Sequence, residues 1–230
     1  MSTEITALLR QITSTVNRTV VGKYDSQTQR TYICNTKWLR KGKRVRVGQN
    51  YYTITNISYN NWVTSVPVNP SNTTPLNGLI YIPAPIYFAG TKTAINREFT
   101  QISNDMGDKT PTIWLLETFQ QSNNLIGTPI EFESNVRVFF LDETDITNYT
   151  TQEHRNEVVK PMQELVMAFL ETLNNTTGIK RVREYDMITF SRFGVERQEG
   201  MVQNVLDANL SGVELRFLLT KYKENCKLNC

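Results

Sequence analysis

Between Thr19 and Val68 the chain runs through five short segments rich in β-branched and aromatic residues: TVVGKYD, RTYICNT, KRVRV, YYTITNI and NWVTSVPV. Gly, Asn or Asp residues punctuate them, and such residues end strands rather than extend them. Short strands at regular spacing with turns between predict a small antiparallel barrel or sandwich. In the third segment Arg44 and Arg46 alternate with Val45 and Val47. One face of that strand is therefore apolar and the other cationic. Gly48-Gln49-Asn50 supplies the turn, and Tyr52, Ile54 and Ile57 begin the return strand.

The flanking segments follow other periods. Ile5, Leu8, Leu9, Ile12 and Val16 form one helical stripe, with Ser2 or Thr3 as the expected cap. From about residue 66 to 85 the chain holds five prolines among Asn, Ser and Thr. Prolines exclude a helix and demote a strand to an edge, so this stretch reads as an extended arm that makes few contacts with its own subunit. A domain boundary is expected near Phe88, dividing residues 1–88 from 89–230. Beyond it, Ile95, Phe99, Ile102 and Met106 fall at helical spacing, and PTIWLLETF and ESNVRVFFLDET read as strands. The strongest helical stripe is Val158, Met162, Leu165, Val166, Phe169 and Leu173. Thr150 and Glu153 offer a capping box ahead of it, and Pro161 should kink it or mark its first turn. Strands EYDMITFSRF and GVELRFLLTKY close the chain, with a short helical turn expected around Val202 to Leu206. The fold class is α+β: a helix and small β-domain, then two helices on an antiparallel sheet.

Charge is unevenly placed. Lys37, Arg40, Lys41, Lys43, Arg44 and Arg46 fall within ten positions that contain no acid, and without them the net charge of +3 would become −3. A local basic feature of this kind points to one charged surface rather than a general polyanion binder. Trp38, Tyr51 and Tyr52 lie beside it. Aromatics among cations on a β-barrel are what single-strand binders use for stacking. Against that, Trp38 and Tyr52 would equally fill a barrel core while the cations meet water or a protein partner.

Little else suggests chemistry. The only histidine, His154, sits in a polar helix start and reads as a surface residue rather than a general base. Asp142, Glu143 and Asp145 follow a strand; such a cluster suits a cation or hydrolysis, but more commonly marks a turn and helix entry. Phosphate loops of the GxGxxG or GxxxxGKT type, HExxH and GxSxG are absent from the sequence. Three cysteines, Cys34, Cys226 and Cys230, cannot all pair within one chain, which fits a reduced, cytosolic folding history. A metal on Cys226 and Cys230 would need two further ligands, so no metal or cofactor is expected. The first residues lack a signal-peptide pattern, and no stretch reaches membrane-spanning length. Neither an enzyme nor a membrane protein is expected.

The C-terminal half carries a resemblance. FGVERQEGMVQNVLDANLSGVELRFLLTKYK, with the earlier NVRVFFLDET strand and VVKPMQELVMAFLETL helix, resembles the head–tail connector and tail-completion (terminator) proteins of tailed bacteriophages. The likeness covers Ala89 to Cys230, and the whole chain resembles neck or tail ring proteins of crAss-like gut phages. The resemblance implies a structural virion protein, without catalytic residues, forming a ring of six or twelve copies around the DNA exit channel. It would be assembled in the host cytoplasm beside other neck, tail or portal proteins, with transient contact to passing DNA. Cyclic rings join one patch to a different patch on the neighbour. The basic segment Lys37–Arg46 and the acidic turn Asp142, Glu143 and Asp145 suit such a contact, and a protein partner is favoured over DNA. The rival readings are a nucleic-acid-binding β-module with an accessory domain, and a glycan-binding adhesin.

Overall fold

The computed structural model describes residues 4–58, 60–102, 110–116, 120–123, 129–145, 148–193, 195–198, 201–204 and 209–223. The cysteines Cys226 and Cys230, and also Ser2, Thr3 and Met106, lie outside these. Helix α1, Ile5–Thr15, leads into β1, Thr19–Asp25, and β2, Arg30–Ile33. A hairpin of β3, Arg44–Val47, and β4, Asn50–Ile57, follows, then β5, Trp62–Pro67, and β6, Gly78–Tyr81. These six strands form a closed antiparallel barrel in the order β1-β2-β5-β4-β3-β6. Strand alternation directs Val20, Ile33, Val45, Tyr52, Ile54, Val63 and Ile80 inward, where all are buried. A bulge between Ile54 and Asn56 shifts the register of β4, so that Ile57 also packs against the core despite its odd spacing.

The proline-rich stretch is not an arm. Its prolines fall on either side of Gly78–Tyr81, which keeps its N–H groups and closes the barrel between β1 and β3. Leu76, Ile80 and Ile82 are buried. The carbonyls of Leu76, Thr74 and Pro83 accept hydrogen bonds from Thr31 Oγ1, the Tyr52 hydroxyl and Trp38 Nε1. Trp38 and Tyr52 are thus core residues, 1 % and 2 % exposed.

The second sheet has the order β11-β14-β10-β8-β7. It is built from β7, Ile86–Gly90, β8, Thr112–Leu116, β10, Ile130–Glu143, β11, Tyr185–Phe193, and β14, Leu210–Tyr222. The short β9, Gln121–Asn123, also pairs with β10. The sheet is mixed rather than purely antiparallel. Helix α2, Lys92–Ile102, joins β7 to β8 as a crossover, and that connection makes the two strands parallel. Residues around Val202 form a strand rather than a helical turn: β13, Met201–Asn204, pairs with β12, Val195–Gln198. Leu206 lies outside the described residues.

The main helix begins at the expected capping box, where Thr150 and Glu153 bond reciprocally. Helix α3, Thr151–His154, passes through a π-helical turn, Arg155–Val159, into α4, Lys160–Asn174. Pro161 has no N–H to donate to the preceding turn, and the wide turn falls directly before it. The two sheet-packing helices cover opposite faces. Val136, Val138 and Phe140 of β10 share one apolar cluster with Met162, Leu165, Val166, Phe169 and Leu173 of α4. The alternate residues Phe139 and Leu141 pack with Trp114, Phe88 and the α2 residues Ile95 and Phe99.

The α4-side cluster continues without a break through α1 into the barrel. Helix α1, whose N-cap is Glu4, buries Ile5, Leu8, Leu9 and Ile12 there. Burial of each such side chain is worth about 1.5–3 kcal/mol. A division between residues 88 and 89 falls inside β7 and removes α1 from this core. Residues 89–230 expressed alone should therefore lack the cooperative thermal transition of the full chain. A sharp transition at a similar midpoint, followed by circular dichroism, would show that the second sheet is self-sufficient.

Candidate functional site

The cations at the start of β3 have two different fates, set by strand parity. Lys43 shares the parity of inward-facing Val45, whereas Arg44 and Arg46 point outward. Lys43 is buried, and so is Arg40, in the turn just before β3. Both reach Asp142, the residue on β10 that shares the inner parity of Val138 and Phe140 and is fully buried. Arg40 grips its carboxylate bidentately, with Nε donating to Oδ2 at 2.7 Å and an Nη to Oδ1 at 2.8 Å. Lys43 Nζ lies 3.3 Å from Oδ1 and donates to the Thr110 carbonyl and to Thr110 Oγ1 at 2.5 and 2.7 Å. The Glu143 amide also donates to Asp142 Oδ1 at 2.8 Å.

Basic segment and acidic turn therefore meet within one chain. The expectation that Arg40, Lys43 and Asp142 form an inter-subunit surface is corrected by their burial. The other two acids behave differently. Glu143 is half exposed, 3.9 Å from Arg40, and Asp145 accepts from the Asn148 amide and side chain in a local turn. Lys37 is half-buried and donates to the Asn17 carbonyl at 2.7 Å, and Lys41 is exposed.

Electrostatics in the cluster are decided by competition between burial and pairing. Burial alone would push the Asp142 carboxyl up, but Lys43 and Arg40, together with hydrogen bonds from Arg40 and Thr110, bring it down to about 2. For Lys43, burial wins and lowers its pKa in spite of Asp142. Arg40 is desolvated as well, yet the adjacent Asp142 charge raises its pKa overall.

The outward residues build a different site. Cross-strand registers place Tyr51, Arg46, Tyr81 and Thr19 in one row across β4, β3, β6 and β1. The Arg46 guanidinium sits 5.0 Å from the centre of the Tyr81 ring, and Tyr51 is 52 % exposed. With Arg18, Arg44 and Val68 they line an open groove of about 510 Å³ on the barrel wall, whose lining contains no acid. Sequence reasoning named Arg44, Arg46 and Tyr51 but missed Arg18 and Tyr81, which only barrel closure brings alongside.

His154 is not a plain surface residue. It is half-buried, and its Nε2 lies 2.6 Å from Ser211 Oγ. The Ser211 hydroxyl donates to the Phe190 carbonyl at 2.5 Å, so its proton points away from the imidazole. In this arrangement His154 donates to the hydroxyl and does not activate it as a nucleophile. Burial also lowers the His154 pKa. Another carboxylate, Glu214, is nearly inaccessible between Arg137 and Arg216, which neutralise it. Among the described residues, no three His, Cys, Asp or Glu side chains converge as a metal site would require.

Replacing Asp142 by Ala leaves two buried cations without their counter-charge. Breaking a buried pair in this way costs roughly 3–5 kcal/mol, to be read as a lower urea midpoint. A loss below about 1 kcal/mol would mean that the cluster is open to water. The depressed Asp142 carboxyl also sets an acid limit. Between its ordinary value of 3.8 and about 2 the unfolded chain binds a proton that the folded chain does not. Stability from this group is present above that window and lost as pH falls through it, by on the order of 2 kcal/mol. In Asp142→Asn this part of the acid sensitivity should disappear.

Comparison of the chain with protein-family models, with curated proteins and with solved structures finds no match. No helix among the described residues is long and apolar enough to cross a membrane.

Proposed function

We propose that the chain is a non-enzymatic structural subunit of a tailed-bacteriophage virion, forming a ring of six or twelve copies in the neck or tail around the DNA exit channel. The reading starts from the resemblance of the C-terminal half to connector and terminator proteins. The observation that carries it further is a pair of separate exposed apolar patches. On the barrel, Val21 and Leu79 are cross-strand partners, 69 % and 47 % exposed. At the far edge of the second sheet, Met167 and Tyr185 are 49 % and 39 % exposed and touch each other. Strand β11, which carries Tyr185, pairs with β14 alone among the described strands, leaving its other edge open. A closed ring needs two unlike patches on each subunit, so that the front of one copy meets the back of the next.

Assembly of the purified chain is measured by light scattering and negative-stain imaging. Two variants each disable one patch: Val21→Asp with Leu79→Asp, and Met167→Asp with Tyr185→Asp. Each alone should give monomers with an unchanged thermal midpoint. Mixed together they should form dimers and nothing larger, because one intact barrel patch can still meet one intact edge. Rings from either variant, or a parent chain that stays monomeric at high concentration, would overturn the proposal.

A further inference from the structure

We infer that the outer wall of the barrel is a binding site for single-stranded nucleic acid, with Arg18, Arg44 and Arg46 holding phosphates and Tyr51 stacking on a base. The inference stands apart from the ring reading because it uses different residues, although Leu79 of the ring patch lies two positions from Tyr81 on the same outward face of β6.

Charge comes first. Residues 17–85, the barrel and its connections, contain nine lysines and arginines and a single acid, Asp25. That one acid is engaged locally, accepting from Thr28 Oγ1 and the Gln27 amide. Two of the nine cations, Arg40 and Lys43, are buried and share the carboxylate of Asp142. Arg30 lies opposite Asp25, and Lys37 and Lys41 feel Glu171 and Glu153 from other elements. The groove's Arg18, Arg44 and Arg46, by contrast, make no ion pair among the described residues; the whole-chain excess of only three hides this. A surface with one sign of charge and almost no counter-charge is complementary to a polyanion.

Shape and chemistry then separate the kinds of polyanion. Arg44 and Arg46 are two residues apart on one face of β3, about 6.6 Å along the strand. Arg18 approaches the same groove from the start of β1, where its carbonyl accepts the Ile82 amide. The three guanidinium groups therefore border one groove instead of being scattered over the barrel. The rest of its lining is uncharged: Tyr51 and Tyr81 with Val45, Val68, Ile82 and Pro83. Arg46 already covers one face of Tyr81, whereas Tyr51 is the more exposed ring. A duplex keeps its bases stacked on one another and offers this groove nothing but phosphate. Single strands present both phosphate and free base faces, and an exposed ring beside cations matches that combination. An acidic protein segment would satisfy the arginines but would leave the ring without a stacking partner.

The test is fluorescence anisotropy on the full chain with three labelled probes of about 20 nucleotides, longer than a typical single-barrel site. They are a thymidine homopolymer, an abasic strand of equal length and a duplex. Binding is measured between about 50 and 200 mM salt. The homopolymer should bind tightest, with a log–log salt slope of about −2 for three phosphate contacts on a single strand. Tyr51→Ala should weaken homopolymer binding roughly 5- to 100-fold, leave its salt slope unchanged and have no effect on the abasic strand. Arg44→Gln with Arg46→Gln should weaken all three probes and make the slope shallower by more than half. Lys180→Gln, an exposed change away from the groove, should alter nothing. The inference fails if no probe binds at the lowest salt, or if duplex and abasic strand bind as tightly as the homopolymer. It fails equally if these groove variants abolish self-association while the parent binds no oligonucleotide, since the wall would then be a protein interface. The ring experiment alters Val21, Leu79, Met167 and Tyr185 only, so either reading can fail without the other.

Discussion

The relation between the barrel and the second sheet depends on one buried carboxylate. Asp142 has no access to water, and an isolated ionised carboxylate in that position would be strongly disfavoured. It remains charged because Arg40 and Lys43 meet it from the barrel side. A bidentate guanidinium fork fixes both distance and angle, which a lysine alone would not. Apolar residues of the same shape could hold the two parts together as strongly. The ion cluster differs in what it forbids, because any other docking of the barrel leaves three charges buried and unpaired. Its role is then to select one arrangement, with the surrounding apolar contacts providing most of the attraction.

Those contacts explain why the chain does not divide cleanly. Helix α1 precedes the barrel in sequence but packs with α4 and β7, and its apolar stripe belongs to the same cluster as both sheets. The segment 66–85 is likewise part of the barrel. Its proline-free stretch Gly78–Tyr81 supplies the closing strand, and its loop carbonyls accept from Thr31, Tyr52 and Trp38. Prolines at the margins of a strand limit where it begins and ends without removing the donors that pair it.

Much of this was legible locally. All five strands between Thr19 and Val68, the capping box at Thr150 and the apolar stripe from Val158 to Leu173 follow from period and cap chemistry, and the structure contains each of them. What sequence reasoning missed is non-local. Mixed pairing of β7 with β8 depends on reading α2 as a crossover rather than as a helix between antiparallel strands. Closure of the barrel by Gly78–Tyr81 is hidden by the prolines around it. The ion cluster joins residues 102 positions apart, and nothing in either segment names the other. A usable signal was nevertheless present on each side. The alternation that turns Arg44 and Arg46 outward also puts Lys43 on the face of Val45, and Asp142 continues the inward series Val136, Val138 and Phe140. A charge at an inward strand position requires a buried partner.

Parity also changes what the basic segment means. Counted along the sequence, Lys37 to Arg46 is one cluster; on the folded strand it is two sites facing opposite ways. Lys43 and the preceding Arg40 are internal ties whose loss would be felt as instability. Arg44 and Arg46 are exposed, make no ion pair among the described residues, and border a groove with Arg18, just before β1, and with two tyrosines from β4 and β6. Substitutions at adjacent positions, Lys43 just before β3 and Arg44 at its start, should therefore act on unrelated properties, docking at 43 and surface recognition at 44. A neutralising change across the whole segment would confound them, because an unstable chain also loses its surface. Only the outward pair isolates what the barrel wall recognises.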